Sequence, residues 1–191
     1  MLVDTHSHIY SEDFSNDIEE VIQRAFENDV RKIVLPNIDS SSLKKMLDLT
    51  DRYPQICFPL IGLHPTSVNE DYEDELELIE FWITKRKFFG IGEVGIDLYW
   101  DKTFVAEQTD AFRRQIRMAK KHQLPVVVHV RESFDEVFTV LNEEKDEHLK
   151  GVFRSFTGTV EQAELAIGIG FKLGINGIVT FKNSGLDQLL R

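Results

Sequence analysis

Of the six histidines in this 191-residue chain, four stand where a divalent ion or its substrate could use them. His6 and His8, in Asp4-Thr5-His6-Ser7-His8, close an apolar run that begins at Leu2. Side chains alternate faces along a strand, so these two imidazoles project to one side, roughly 6 to 7 Å apart along the backbone, and can close on one metal. Asp4 is placed to hold an imidazole tautomer from behind. Glu93 lies in Gly90-Ile91-Gly92-Glu93-Val94-Gly95, where three glycines leave room for close backbone approach. A carboxylate in so apolar a run needs a partner, and water, an arginine or a metal would each serve. His129 closes Leu124-Pro125-Val126-Val127-Val128-His129, a run apolar enough to be buried on both faces, and its place at the strand end favours a ligand over a core histidine. His64 precedes Pro65, which turns the chain at once, so it reads as facing substrate rather than metal. His122 follows two lysines and His148 sits in a charged run, and both are expected at the surface. Cys57, flanked by Ile56 and Phe58, reads as a small buried hydrophobe.

The elements that must carry these residues alternate. Strand-like runs occur at Leu2–His8, Arg31–Pro36, Ile56–Leu63, Phe88–Gly95, Leu124–Val130, Gly151–Phe156 and Phe171–Ile175. Between them, Ile18, Val21, Ile22, Ala25 and Phe26 keep helical spacing, with Ser15 as N-cap. Leu43, Met46 and Leu47 repeat the pattern, and Phe112, Gln115, Ile116 and Ala119 mark a helix ending near His122, before Pro125. Weaker helical runs lie at Asp74–Lys85, Ser133–Glu143, Val160–Ile169 and Leu186–Leu190. Consecutive βα units build either an open doubly wound sheet or a closed barrel. The first strand feeds histidines where a nucleotide-binding sheet needs a glycine-rich turn, and one strand end after another carries a histidine or carboxylate. The expected fold is an α/β (β/α)8 barrel in one domain over residues 1–191, with about seven βα units and the eighth strand missing.

Composition narrows the partners. A net charge of -11 argues against a broad sequence-independent DNA-binding surface, although bound divalent ions can supply the charge that a phosphodiester needs. Basic runs such as Lys85-Arg86-Lys87 read as solvated helix face. With no apolar run of spanning length and no signal-peptide pattern, the expectation is a cytoplasmic protein that does not engage membranes and has no obligate protein partner.

Taken together, Asp4-Thr5-His6-Ser7-His8, Gly62-Leu63-His64-Pro65, Gly92-Glu93-Val94-Gly95-Ile96-Asp97, Leu124 to Glu132 and Ser155-Phe156-Thr157-Gly158-Thr159 resemble the TatD family of metal-dependent deoxyribonucleases, in order and spacing, over the whole chain. The resemblance implies a barrel with two adjacent divalent ions (Mg2+, Mn2+ or Zn2+) that hydrolyses phosphodiester bonds in DNA. By position, His6 and His8 would bind the first ion, Glu93 would bridge both and take part in catalysis, and His129 would bind the second. His64 would assist catalysis facing the substrate, with Arg131 and Arg154 binding substrate beside it. Two departures stand out. Arg154 occupies the place of a histidine ligand to the second ion, and a guanidinium has no lone pair to offer. The chain also stops at Arg191, short of the eighth strand and its aspartate, so open edges on the first and seventh strands and association through them are expected. The second ion is then expected to be weak or absent. Rival expectations are an inactive fragment of such an enzyme and a barrel amidohydrolase with a non-nucleic-acid substrate. Many of the latter bridge their metals with a modified lysine where this chain has Glu93. A third rival, the polymerase-and-histidinol-phosphatase type of phosphoesterase, usually carries Asp-His-Asp after the second strand, where this chain has Pro36-Asn37-Ile38-Asp39.

Overall fold

The alternation of apolar runs and helical stripes resolves, in a computed structural model that describes residues 1–186, into seven strands and six α-helices. They follow as β1 (Leu2–Asp4), α1 (Ile18–Glu27), β2 (Val30–Leu35), α2 (Ser40–Arg52), β3 (Cys57–Pro59), α3 (Tyr72–Lys85), β4 (Ile91–Asp97), α4 (Val105–Lys121), β5 (Val126–Arg131), α5 (Phe134–Glu143), β6 (Gly151–Phe153), α6 (Val160–Gly168) and β7 (Phe171–Leu173). All pairings are parallel, in the orders β1-β2-β3 and β4-β5-β6-β7. An isolated bridge from Ile61 to Ile91 joins the two groups. Strands that pair in sequence order with a helix between each are the arc of a (β/α) barrel, incomplete among the described residues, and their C-terminal ends share one rim. No helix among these residues is long and apolar enough to cross a membrane.

Several strands are shorter than their apolar runs suggest. β1 shifts register between Leu2 and Val3 and ends at Asp4, so His6 and His8 lie in the following loop rather than on the strand. The Ser7 N–H still donates to Val34 O at 3.0 Å, which holds that loop against β2. β6 ends at Phe153 because Ser155 takes a left-handed φ of 49° and breaks the extended chain. Ser15 does not cap α1. Its hydroxyl donates to Glu12 O at 2.7 Å, closing a 3-10 turn, and Asp17 takes the N-cap position. Of the helical run expected at Leu186–Leu190, all but Leu186 lies outside the described residues.

Two features of the interior aim the rim. β4 is buried along its whole length, and at Gly95, with φ of 150°, a Cβ would lie 2.0 Å from His129 O. At Gly92 a Cβ would meet Val127 Cβ at 2.7 Å. Only glycine lets β4 and β5 approach this closely, and that approach sets Glu93 beside His129. The second feature is polar. α4 buries Phe112, Ile116 and Ala119 along with two carboxamides, Gln108 and Gln115. Gln115 Oε1 accepts the Leu63 N–H at 2.7 Å and its amide donates to Leu63 O at 3.2 Å. Gln108 Oε1 accepts the Asp97 N–H at 2.8 Å. Buried amides must be satisfied, so these two fix the backbone next to His64 and at Asp97.

Candidate metal centre

The ends of four strands deliver side chains to one carboxylate on a fifth. Glu93, on β4 and 2% exposed, turns Oε2 toward His6 Nε2 at 3.1 Å and Oε1 toward His129 Nδ1 at 3.1 Å. The Nε2 atoms of His6 and His8 lie 3.2 Å apart. His64, beyond β3, places Nε2 3.9 Å from Glu93 Oε2, its ring 4.5 Å from that of His129. Arg154, the first residue after β6, brings Nη1 to 3.5 Å from Glu93 Oε1. His6, His8, His64, Glu93, His129 and Arg154 thus lie together at one rim. Arg131 stands apart, exposed, with its guanidinium over the ring of Tyr99.

Hydrogen bonds fix where the protons sit. The Tyr10 hydroxyl donates to Pro36 O at 2.5 Å, so its contact with His8 Nδ1 at 2.7 Å must receive that ring's proton. His8 Nε2 is left with its lone pair facing His6. Asp97 Oδ2 lies 2.8 Å from His129 Nε2 and can only accept from it, which leaves His129 Nδ1 facing Glu93. His64 is turned the other way. Its Nδ1 accepts the Thr66 N–H at 3.2 Å, so its proton sits on Nε2 and points inward.

Electrostatics reinforce this pattern. Burial, then the neighbouring His6, lowers the His8 pKa to about 4. Burial, then His129, lowers that of His64 to about 4 as well. For Glu93, burial pushes upward, but the His129 and His6 rings set against its two oxygens and the Arg154 charge prevail and hold it well below the usual carboxylate range. At neutral pH the centre therefore presents an ionised carboxylate with His8 and His64 uncharged, the protonation states that metal ligation requires.

Two overlapping groups of potential ligands share Glu93, namely His6, His8 and Glu93, and His64, Glu93 and His129. The first fits a divalent ion well. Tetrahedral ligands about 2.0 to 2.1 Å from zinc lie about 3.3 Å from one another, close to the 3.2 Å from His6 Nε2 to His8 Nε2 and the 3.1 Å from His6 Nε2 to Glu93 Oε2. The lone pair of His8 Nε2 and the anionic Glu93 Oε2 compete for at most one proton on His6 Nε2, and His6 Nδ1 is buried with no hydrogen-bond partner among the described residues. A cation among the three facing atoms, His6 Nε2, His8 Nε2 and Glu93 Oε2, removes that competition and leaves the His6 proton on Nδ1. The second group fits less well, since His64 presents a proton rather than a lone pair and Arg154 already neutralises Glu93 Oε1.

Some expected roles move. Asp4 is exposed, and its Oδ1 accepts the backbone N–H of His6 at 3.0 Å rather than an imidazole proton. His122 is only partly exposed, with Nε2 buried and unpartnered among the described residues at the end of α4, whereas His148 is exposed as expected. Cys57 is buried, which pushes its thiol up to about 11. Sequence reasoning assigned no role to Tyr10 or Asp97, the groups that hold His8 and His129. The buried acid four residues beyond Glu93 was the available signal. Tyr10→Phe keeps the ring and removes the hydroxyl, so metal affinity is expected to fall about 10- to 100-fold while the metal-free melting temperature changes little. Calorimetric titration with manganese or zinc reads this, and an unchanged Kd would refute the role.

Comparison with known proteins follows the same lines. Residues 3–191 match the family model described as TatD related DNase. The chain is 36% identical over 184 residues to the uncharacterized metal-dependent hydrolase YabD of Bacillus subtilis, across 96% of this chain and 72% of that protein. It is 26% identical over 186 residues to the 3'-5' ssDNA/RNA exonuclease TatD of Salmonella typhimurium, across 97% and 71%. The crystal structure of YjjV, a TatD homologue from Escherichia coli K12, superposes with a TM-score of 0.91 at 29% identity, covering 99% of this chain and 73% of that one.

Proposed function

From the premise that the chain belongs to the TatD related DNase family of metal-dependent hydrolases, we propose that it hydrolyses phosphodiester bonds in DNA, with His6, His8 and Glu93 holding one divalent ion tightly. The observation that carries this reading is the convergence of both His6 Nε2 and His129 Nδ1 on opposite oxygens of the buried Glu93. A divalent ion held by these residues would supply an acidified water and positive charge toward the phosphate oxygens. Glu93 remains ionised and supplies the anion that anchors the centre. His64, uncharged and with Nε2–H directed inward, donates to a non-bridging phosphate oxygen, where charge accumulates during attack. Arg154 presents a permanent charge at the same place, and its planar fork suits two phosphate oxygens. His129 turns Nδ1 inward, held by Asp97.

Mixed imidazole and carboxylate donors suit Mg2+, Mn2+ or Zn2+ alike. The family resemblance implies two ions, and the donor geometry supports one tight ion with the Arg154 charge in place of much of the second. The exonuclease activity named for the Salmonella relative supports a nucleic-acid strand as substrate. Glu93, where a modified lysine would favour amide chemistry, supports phosphodiesters over amides. The test is cleavage of a single-stranded DNA oligonucleotide by metal-stripped protein resupplied with manganese, magnesium or zinc. Ion-dependent cleavage that disappears in EDTA and in His6→Ala is expected. A folded, metal-loaded chain that leaves the strand intact would reject the proposal in favour of an inactive member, or of an amidohydrolase if it turns over amides or esters.

A further inference from the structure

The segment after β4 carries a construction that metal binding does not require. Tyr99 is 49% and Trp100 68% exposed, and their rings meet edge to face at 4.9 Å. Both are pinned from beneath, because Asp97 Oδ1 accepts the Tyr99 N–H at 3.0 Å and the Trp100 N–H at 3.2 Å while Oδ2 holds His129. Arg131, two residues beyond His129 on β5 and opposite Asp97 in register, lays its guanidinium carbon 3.8 Å from the Tyr99 ring centre and 5.1 Å from that of Trp100. Trp100 also walls a small cleft with Pro65, Thr66 and Phe104, immediately beside His64.

We propose that Tyr99, Trp100 and Arg131 form a stacking shelf for an unpaired base of a single-stranded nucleic acid, adjoining the phosphate held at the Glu93 centre. The proposal rests on the phosphodiesterase reading and names its substrate as a single strand. Exposed aromatic faces and a guanidinium plane accept any base, because every base has a π-face. A base inside a duplex has its faces already covered by stacking, so the shelf selects unpaired nucleotides. With a net charge of -11 the chain gains little from general phosphate attraction, and stacking is the contribution left to hold a strand at the rim. Arg131 lies over rings, with no carboxylate paired to it among the described residues, so its charge is available to a neighbouring phosphate.

The experiment is fluorescence anisotropy in EDTA, where hydrolysis is silent, with a labelled single strand and the same strand made abasic at its terminal nucleotides. The wild-type protein is expected to prefer the intact strand by roughly five- to hundredfold. Trp100→Ala should lose most of that preference and Trp100→Phe keep most of it. Affinity that does not depend on the base, or a preference retained in full by Trp100→Ala, overturns the shelf. Base-dependent binding without cleavage in metal would keep the shelf and remove the phosphodiesterase reading. Cleavage in metal with no base dependence would remove the shelf alone.

Discussion

Glu93→Gln is expected to lower phosphodiester hydrolysis by at least about a thousandfold and to abolish tight metal binding. Its two oxygens face two different histidines, at 3.1 Å each, and no other carboxylate oxygen belongs to either group of potential ligands among the described residues. An amide keeps the shape and removes the charge, leaving imidazoles alone to hold a cation. The same change acts on the fold. With its folded-state pKa held below the ordinary 4.5, ionised Glu93 stabilises the protein fully above that pH. The contribution is lost as pH falls through the much lower folded-state value. Metal-free Glu93→Gln should therefore unfold about 3 to 5 kcal/mol more easily at neutral pH, the cost of removing one member of a buried ionic cluster, and the two stability curves should draw together in acid. Denaturant titrations in EDTA measure this. Glu93→Asp, which keeps the charge but shortens the reach, should retain more of the metal-free stability and still bind metal poorly. Tight metal binding and turnover in Glu93→Gln would remove Glu93 from the centre of the scheme.

Arg154→His is expected to raise the number of tightly bound divalent ions from one to two per chain. In the wild type Nη1 lies 3.5 Å from Glu93 Oε1, on the side where His129 offers its Nδ1. A guanidinium and a divalent ion about 4 Å apart repel by about 8 kcal/mol at an effective dielectric of about 20, enough to defeat a weak second site. Arg154 is partly exposed and can swing aside, which reduces the repulsion without adding a ligand. An imidazole at this position removes the charge and adds a lone pair. Elemental analysis of dialysed protein reads the stoichiometry independently of activity, and hydrolysis in manganese is expected to rise with it. Two tightly held ions in the wild-type protein would show that Arg154 does not displace one.

Much of the centre was legible before any fold was known. His6, His8, Glu93 and His129 drew attention because of their residue types and because each follows or sits in an apolar run, and those runs became the strands that bring them to one rim. The glycines around Glu93 were readable for the same reason, since close strand approach demands them. Readings that depended on local geometry were less secure. The alternation argument placed His6 and His8 on a strand, yet β1 ends at Asp4 and the two rings meet from a loop. The result was convergence all the same, because Ser7 stays bonded to β2.

What the sequence determined by itself is therefore the alternating architecture and the inventory of ligands, because periodicity and residue chemistry are local properties. Tertiary structure alone decided how those ligands are used. Tyr10 fixes the His8 tautomer through Pro36, 26 residues away, and Asp97 holds His129 across 32 residues. Arg154 settles against Glu93 rather than in solvent. Each outcome depends on which nitrogen carries a proton or which oxygen meets a charge. Those are set by contacts between strands far apart in the chain, and no spacing in the sequence encodes them.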